Sequence, residues 1–239
     1  VTTMEKMFFK LNAPFMTFNN GGAPLSWGAN TAKVTNMHAM FQGAASFNQP
    51  IGDWDTSAVT SMWHMFDKAA AFNQDISNWN TGAVTKFESM FQGATVFNNN
   101  NNGAFDDWNV SKATNMQWMF KDALAFNLYI GSWNTAKVED MEGMFMITQP
   151  PAPAPPVVGA FNQNLQKWNI SAITSSAKLK DCFSFSAVNF TFSDSGGGGT
   201  WFATCQALAA VADIPAFYTN GNDYDGNPAT ATQFPKITA

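Results

Sequence analysis

A Met-Phe pair returns along this chain at steps of mostly about 25 residues: Met7-Phe8, Met40-Phe41, Met65-Phe66, Met90-Phe91, Met119-Phe120 and Met144-Phe145, with Cys182-Phe183 as a degenerate seventh. A second register keeps phase with it. Phe18-Asn19, Phe47-Asn48, Phe72-Asn73, Phe97-Asn98, Phe126-Asn127 and Phe161-Asn162 each precede a tryptophan: Trp27, Trp54, Trp79, Trp108, Trp133 and Trp168. Such a period is that of stacked repeats, in which one unit is too small to bury its own apolar side and becomes stable only against its neighbours. The chain must therefore fold by repetition. The insertions "NNNNNG" at 98–103 and "TQPPAPAPPVVG" at 148–159 interrupt the period without destroying it and are expected as loops outside the stack.

Within one unit, Val59, Met62, Met65 and Phe66 have the spacing of one apolar helix face, which predicts a short helix over 59–66 with Thr60 as its N-cap. Thr85 with Glu88, and Thr114 with Gln117, fit the capping box. Gly43 and Gly93 supply the turn that follows, and Ala44, Ala69, Ala94 and Ala123 keep a small residue where coils pass closely. The run "FNQDISNWNT" predicts a short strand over 76–81. The expected core ladder is Met40, Phe41, Met65, Phe66, Met90, Phe91, Met119, Phe120, Met144 and Phe145 with Trp54, Trp79, Trp108 and Trp133. Met fills irregular gaps, whereas each Phe or Trp buries roughly 150–250 Å². Asn after each Phe can bond turn backbone and the equivalent Asn one coil away.

The pattern W-N-T-x-x-V-T-x-M-x-x-M-F-x-x-A-x-x-F-N-x-x-I, seen at 54–76 and 79–97, resembles the BspA-type surface-protein repeat, a relative of leucine-rich repeats. The resemblance covers residues 1–183. It implies an α/β, right-handed leucine-rich-repeat-like solenoid of six to seven coils, with short parallel strands on one face and short helices opposite. Members are mostly surface or secreted proteins linked to adhesion or assembly, and the resemblance carries no catalytic motif. The last unit, 168–183, departs by its length and by Cys182 in place of Met. Residues 184–239 fall outside the pattern and are expected to form a C-terminal cap helix and an extended arm. "WFATCQALAAVADI" at 201–214 reads as the cap helix, and 217–239 as the arm.

Hydrophobic residues make up 46% of the chain but charged residues only 12%, about half the usual share, so Asn, Ser, Thr and Gly must cover the surface. The formal net charge is −5 and no Lys/Arg cluster occurs, which removes nucleic acid and an anionic membrane surface as expected partners. No apolar run is long enough for a membrane-spanning helix, and the first residues lack a signal peptide's order. Val1 opens inside a repeat, so a processed or partial chain is expected.

The search for chemistry returns little. His38 and His64 are the only histidines and occupy different repeat positions, which argues for structural or exposed roles over a metal site or a catalytic pair. No G-x-S-x-G occurs, and "SGGGGT" at 195–200 lacks the lysine and the strand-to-helix setting of a phosphate loop. "NGNDYDGN" at 220–227 resembles the middle of an EF-hand loop, but Gly221 and Thr232 stand at the first and twelfth ligand positions, so a polar turn is the default. No catalytic, metal or cofactor residue is therefore assigned. Asn109, Asn169 and Asn189 match glycosylation acceptors, which a chain so rich in Asn, Ser and Thr produces by chance. Cys182 and Cys205 are the only cysteines and form the disulfide candidate, with two buried thiols as the alternative.

The leading expectation is a non-enzymatic structural or assembly protein of a cell surface, extracellular structure or particle, acting on other protein subunits. An adhesin for a host protein or glycan is the runner-up. Head-to-tail self-association through the first coil and the arm is expected on the same grounds. Ice binding fares poorly, because Ser111 and Ser171 break the row of Thr56, Thr81 and Thr135 and the other threonine row reads as helix caps. An enzyme is the least favoured reading, since the repeating residues cannot move protons at neutral pH.

Overall fold

In a computed structural model, residues 1–9, 18–151, 153–155, 157–163, 165 and 167–182 are described. The expected cap helix at 201–214 and arm at 217–239 lie outside them.

Successive repeats lie in register, each paired with the one before it. A single parallel bridge joins each neighbouring pair, in the order Thr3↔Asn36, Asn36↔Ser61, Ser61↔Lys86, Lys86↔Asn115 and Asn115↔Asp140. Around each bridge, alternate backbone groups pair between coils. Thr60 N–H donates to Thr35 O (2.8 Å), Met37 to Ser61 O (3.0 Å), Ala39 to Trp63 O (2.8 Å), Phe41 to Met65 O (2.9 Å) and Gly43 to Asp67 O (2.7 Å). The remaining groups close local turns, such as Met65 N–H to Met62 O (3.1 Å) and Ala69 N–H to Phe66 O (2.9 Å).

This corrects the expected helix at 59–66. Among the described residues the only helices are short 3-10 turns, at Asn20–Gly22, Gly28–Thr31, Asn99–Asn101, Gly103–Asp107 and Ser176–Leu179. The apolar spacing is obeyed, since Val59, Met62, Met65 and Phe66 are all buried. Yet His64 sits at φ 54°, as do its counterparts Lys6 (54°), Ala39 (55°), Ser89 (53°), Trp118 (56°) and Gly143 (56°). A left-handed residue at this place stops helix propagation, and its own N–H donates to the neighbouring coil, as His64 N–H does to Glu88 O at 3.0 Å. The threonines are not caps either. The Thr60 hydroxyl donates to Thr35 O (3.1 Å), Thr85 to Thr60 O (3.3 Å) and Thr114 to Thr85 O (3.4 Å), forming a ladder where capping boxes are expected.

Parallel pairing thus runs through the segment read as helix, and the expected strand at 76–81 is a turn. There the Asp75 carboxylate accepts from Ser77 N–H at 3.0 Å and Ser77 Oγ at 2.7 Å, an Asx-type closure that competes with extended backbone. The run at 98–103 also differs from an outlying loop. Asn99 is fully buried, and its Oδ1 accepts the Ile76 N–H at 2.8 Å. Asn tolerates the left-handed region that Asn99, Asn100 and Asn101 all occupy.

The core is a set of side-chain columns. Phe41, Phe66, Phe91, Phe120 and Phe145 stack with centroids 5.5 to 5.6 Å apart. The Phe of each Phe-Asn pair forms a second column, with Phe47–Phe72 and Phe72–Phe97 both at 5.9 Å. Trp54, Trp79, Trp108, Trp133 and Trp168 form a third, at 6.3 to 6.5 Å. The whole expected ladder is buried, including Met40, Met65, Met90, Met119 and Met144. Each neighbouring ring pair adds about 0.5–1.5 kcal/mol beyond its buried area, and the columns run unbroken from coil to coil. The indole N–H groups are satisfied within the stack, with Trp54 donating to Leu25 O, Trp79 to Ile51 O, Trp108 to Ile76 O and Trp168 to Ile130 O. Trp133 Nε1 is buried without a partner, in the coil that follows the 98–103 insertion.

Candidate functional site

The position after each bridging segment's first core residue forms a row of polar and aromatic side chains: Glu5, His38, Trp63, Glu88, Gln117 and Glu142. The bridge residues fix its geometry. Asn36 Oδ1 accepts from His38 N–H (2.9 Å), Asn115 Oδ1 from Gln117 N–H (2.8 Å) and Asp140 Oδ1 from Glu142 N–H (3.1 Å), so each turn is closed by the side chain two residues before. Further bonds cross between coils, with Asn36 Nδ2 to Glu5 (3.1 Å), Asn115 Nδ2 to Glu88 (3.2 Å) and Gln117 Nε2 to Glu142 (2.6 Å). Lys178 pairs with Asp140 at 2.5 Å.

The densest chemistry lies in the second and third coils. The His38 ring stacks on Trp63 with centroids 4.6 Å apart and planes 8° off parallel, while His64 lies 5.2 Å from Trp63 and 6.3 Å from His38. His38 Nδ1 is 3.3 Å from Glu5 Oε1. His64 Nδ1 is 3.2 Å from Asp67 Oδ2, within ion-pair distance but not aligned as a hydrogen bond. Asp67 is buried, and Gln42 Nε2 donates to its Oδ2 at 2.6 Å. Burial lowers the His38 imidazole below its ordinary value and outweighs Glu5, which pulls it up. Burial likewise pushes the Glu88 carboxyl above the usual range, against the pull of His64. His64 Nδ1, Asp67 Oδ1 and Ser89 Oγ are buried without hydrogen-bond partners in this same part of the stack.

This cluster is the functional grouping that sequence reasoning misses. His38 and His64 stand one repeat plus one residue apart, an offset of 26, and stacking turns that offset into diagonal adjacency. As a reaction centre the cluster offers little, because Ser89, the one hydroxyl at His64's repeat position, is wholly buried. Among the described residues no set of three or more His, Cys, Asp or Glu side chains is arranged to hold a metal ion.

Of the other sequence candidates, Asn109 and Asn169 are exposed, but their Oδ1 atoms close turns by accepting from Ser111 N–H (3.1 Å) and Ser171 N–H (2.9 Å). Asn80 closes the same turn at Gly82 N–H (3.1 Å) with no acceptor motif, so the turn accounts for these asparagines. Asn189 lies outside the described residues. So do Cys205 and the segments 195–200 and 220–227. Cys182 is buried at the place Met takes in other coils, and its O accepts from Phe145 N–H at 2.7 Å. The threonine row of Thr56, Thr81 and Thr135 points inward, each hydroxyl donating to a carbonyl of the next coil at 2.9 to 3.1 Å. The buried Val110 and Ile170 occupy that place in other coils, rather than Ser111 and Ser171. Among the described residues no helix is long and apolar enough to cross a membrane.

In-register repeats with a shared core define a repeat protein. The family model described as Mycoplasma protein of unknown function, DUF285, matches residues 2–104 and again 99–207, and the chain belongs to that family. Two matches in tandem fit a surface-associated repeat protein. No curated protein and no solved structure matches the chain.

Proposed function

We propose that this chain is a non-enzymatic structural protein of a cell surface or extracellular structure, a BspA-like solenoid that acts through contacts with other protein subunits. The observation that carries this reading is how the repeat spends its polar groups. The side-chain oxygens of Asn19, Asn48, Asn73, Asn98 and Asn127 each accept the backbone N–H of the next Asn in the column, at 2.8 to 2.9 Å. Threonine hydroxyls and indole N–H groups are likewise turned inward to join coils, so repeating chemistry maintains the scaffold and leaves an extended surface for contact. A shallow cavity of about 330 Å³, lined by Pro24, Ser26, Pro50, Gly52, Asp53, Gln74 and Asp75, offers two carboxylates and no base or nucleophile set. Head-to-tail contact between copies is one mode such a scaffold allows.

Mass spectrometry of the native complex, with electron microscopy of the isolated material, tests the proposal. Copurification with a regular layer, shell or filament is expected. Saturable binding to foreign cells or glycans, with no such material, would replace it with the adhesin reading.

A further inference from the structure

We infer that His38 and His64 form a surface site for one borderline divalent transition ion, Zn²⁺ or Cu²⁺, bound through the Nε2 atoms of both rings. Their centroids are 6.3 Å apart. Two imidazoles on one tetrahedral ion, at Zn–N of about 2.1 Å, place their centroids roughly 5 Å apart, about 1 Å closer than the two rings stand here. Each ring already has the outer partner that metal-bound histidines use, a carboxylate facing Nδ1: Glu5 at 3.3 Å for His38 and Asp67 at 3.2 Å for His64. For His38 the hydrogen bond to Glu5 favours the tautomer whose free lone pair is on Nε2, whereas Asp67 stands beside His64 Nδ1 at ion-pair distance only. Neither Nε2 has a hydrogen-bond partner among the described residues, and neither is buried.

Charge and backbone favour the same assignment. Glu5 and Asp67 place a carboxylate beside each ring, with Lys6 the cation on the Glu5 side. Asp67, the carboxylate beside His64, is itself held by Gln42 at 2.6 Å. Two protein ligands leave positions on the ion for solvent, which sets a moderate affinity and excludes a closed structural site. Trp63, within 4.6 and 5.2 Å of the two rings, is a built-in reporter of the ion.

Titration of the whole chain with Zn²⁺ by calorimetry and with Cu²⁺ by tryptophan quenching tests the site. One equivalent is expected to bind. His38→Gln and His64→Gln should each weaken binding at least about tenfold, and Asp67→Asn should weaken it less, through the loss of a negative charge beside His64. Trp63→Phe should remove most of the Cu²⁺ quenching while leaving the Zn²⁺ heat intact. Circular dichroism of each variant separates loss of the site from loss of the fold. No saturable binding, or binding equally tight in folded His38→Gln and His64→Gln, would overturn the site and leave the structural role untouched.

Discussion

The side-chain oxygen of Asn48 accepts the backbone N–H of Asn73 at 2.9 Å, and it also accepts Gln74 Nε2 at 3.0 Å. One amide oxygen therefore closes a turn group and a side-chain group of the next coil, where extended pairing is absent. Asn48→Ala should leave the partly buried Asn73 N–H unpaired and cost about 1–3 kcal/mol in denaturant unfolding. Asn48→Asp keeps the acceptor and should stay within about 0.5 kcal/mol at pH 7. Equal losses in the two variants would show that the oxygen is not what matters.

Phe91 is fully buried, stacked on Phe66 and Phe120 at 5.6 Å each and on Phe97 at 4.0 Å. Phe91→Ala in this central coil should cost on the order of 3–5 kcal/mol, the range for deleting a buried aromatic ring. A shift below about 1 kcal/mol would contradict the continuous core.

The columns at Met40, Phe41, Phe47 and Trp54 are legible in the sequence because each is a period of identical residue types. So is the Asn column, which follows from placing an amide after every Phe. The backbone between them is not legible in the same way. Val59, Met62, Met65 and Phe66 satisfy a helix face, and they satisfy equally a coil that turns inward at the same positions. What separates the two is the sign of φ at single positions, one of them filled by Ala39, His64, Ser89, Trp118 and Gly143 in turn. Residue type does not announce a left-handed turn when so many types occupy it. The His38–His64 pair is hidden for a related reason, since adjacency between coils appears only once the register is known.

At that left-handed place Ser89 has φ 53° and a buried hydroxyl without a partner, whereas Gly143 fills the equivalent place without either cost. Ser89→Gly should therefore raise stability, by about 1 kcal/mol after allowing for the extra freedom of Gly in the unfolded chain. The reverse exchange is expected to fail. A Cβ on Gly143 would stand 2.5 Å from Trp118 Cδ1, so Gly143→Ala should cost about 1–3 kcal/mol, and Trp118→Ala should relieve part of it. Thermal melts of these variants decide both points, and a destabilised Ser89→Gly would mean that the strain is compensated elsewhere.

Asp75 gives the acid side of the stability profile. Burial raises its carboxyl, but hydrogen bonds from Ser77, Asn102 and Asn99 outweigh burial, and the folded-state value lies below the ordinary one. Asn102 Nδ2 donates to Oδ2 at 2.7 Å and Ser77 Oγ to Oδ1 at 2.7 Å, tying the 98–103 insertion to the coil before it. A group depressed in the folded state contributes stability that is fully present above its unfolded value, about 3.9, and that disappears as pH falls through the lower folded value. In Asp75→Asn one oxygen becomes a donor facing the donors of Asn102 or Ser77. The variant should be less stable than the parent at pH 7, by about 1 kcal/mol for the lost bonds. That gap should narrow as pH falls below about 4, because the parent then loses the same contribution by protonation. Urea unfolding at pH 7 and at about pH 3 measures both gaps. A penalty for Asp75→Asn that is the same at the two pH values would show that the ionised carboxylate is not what holds the insertion in place.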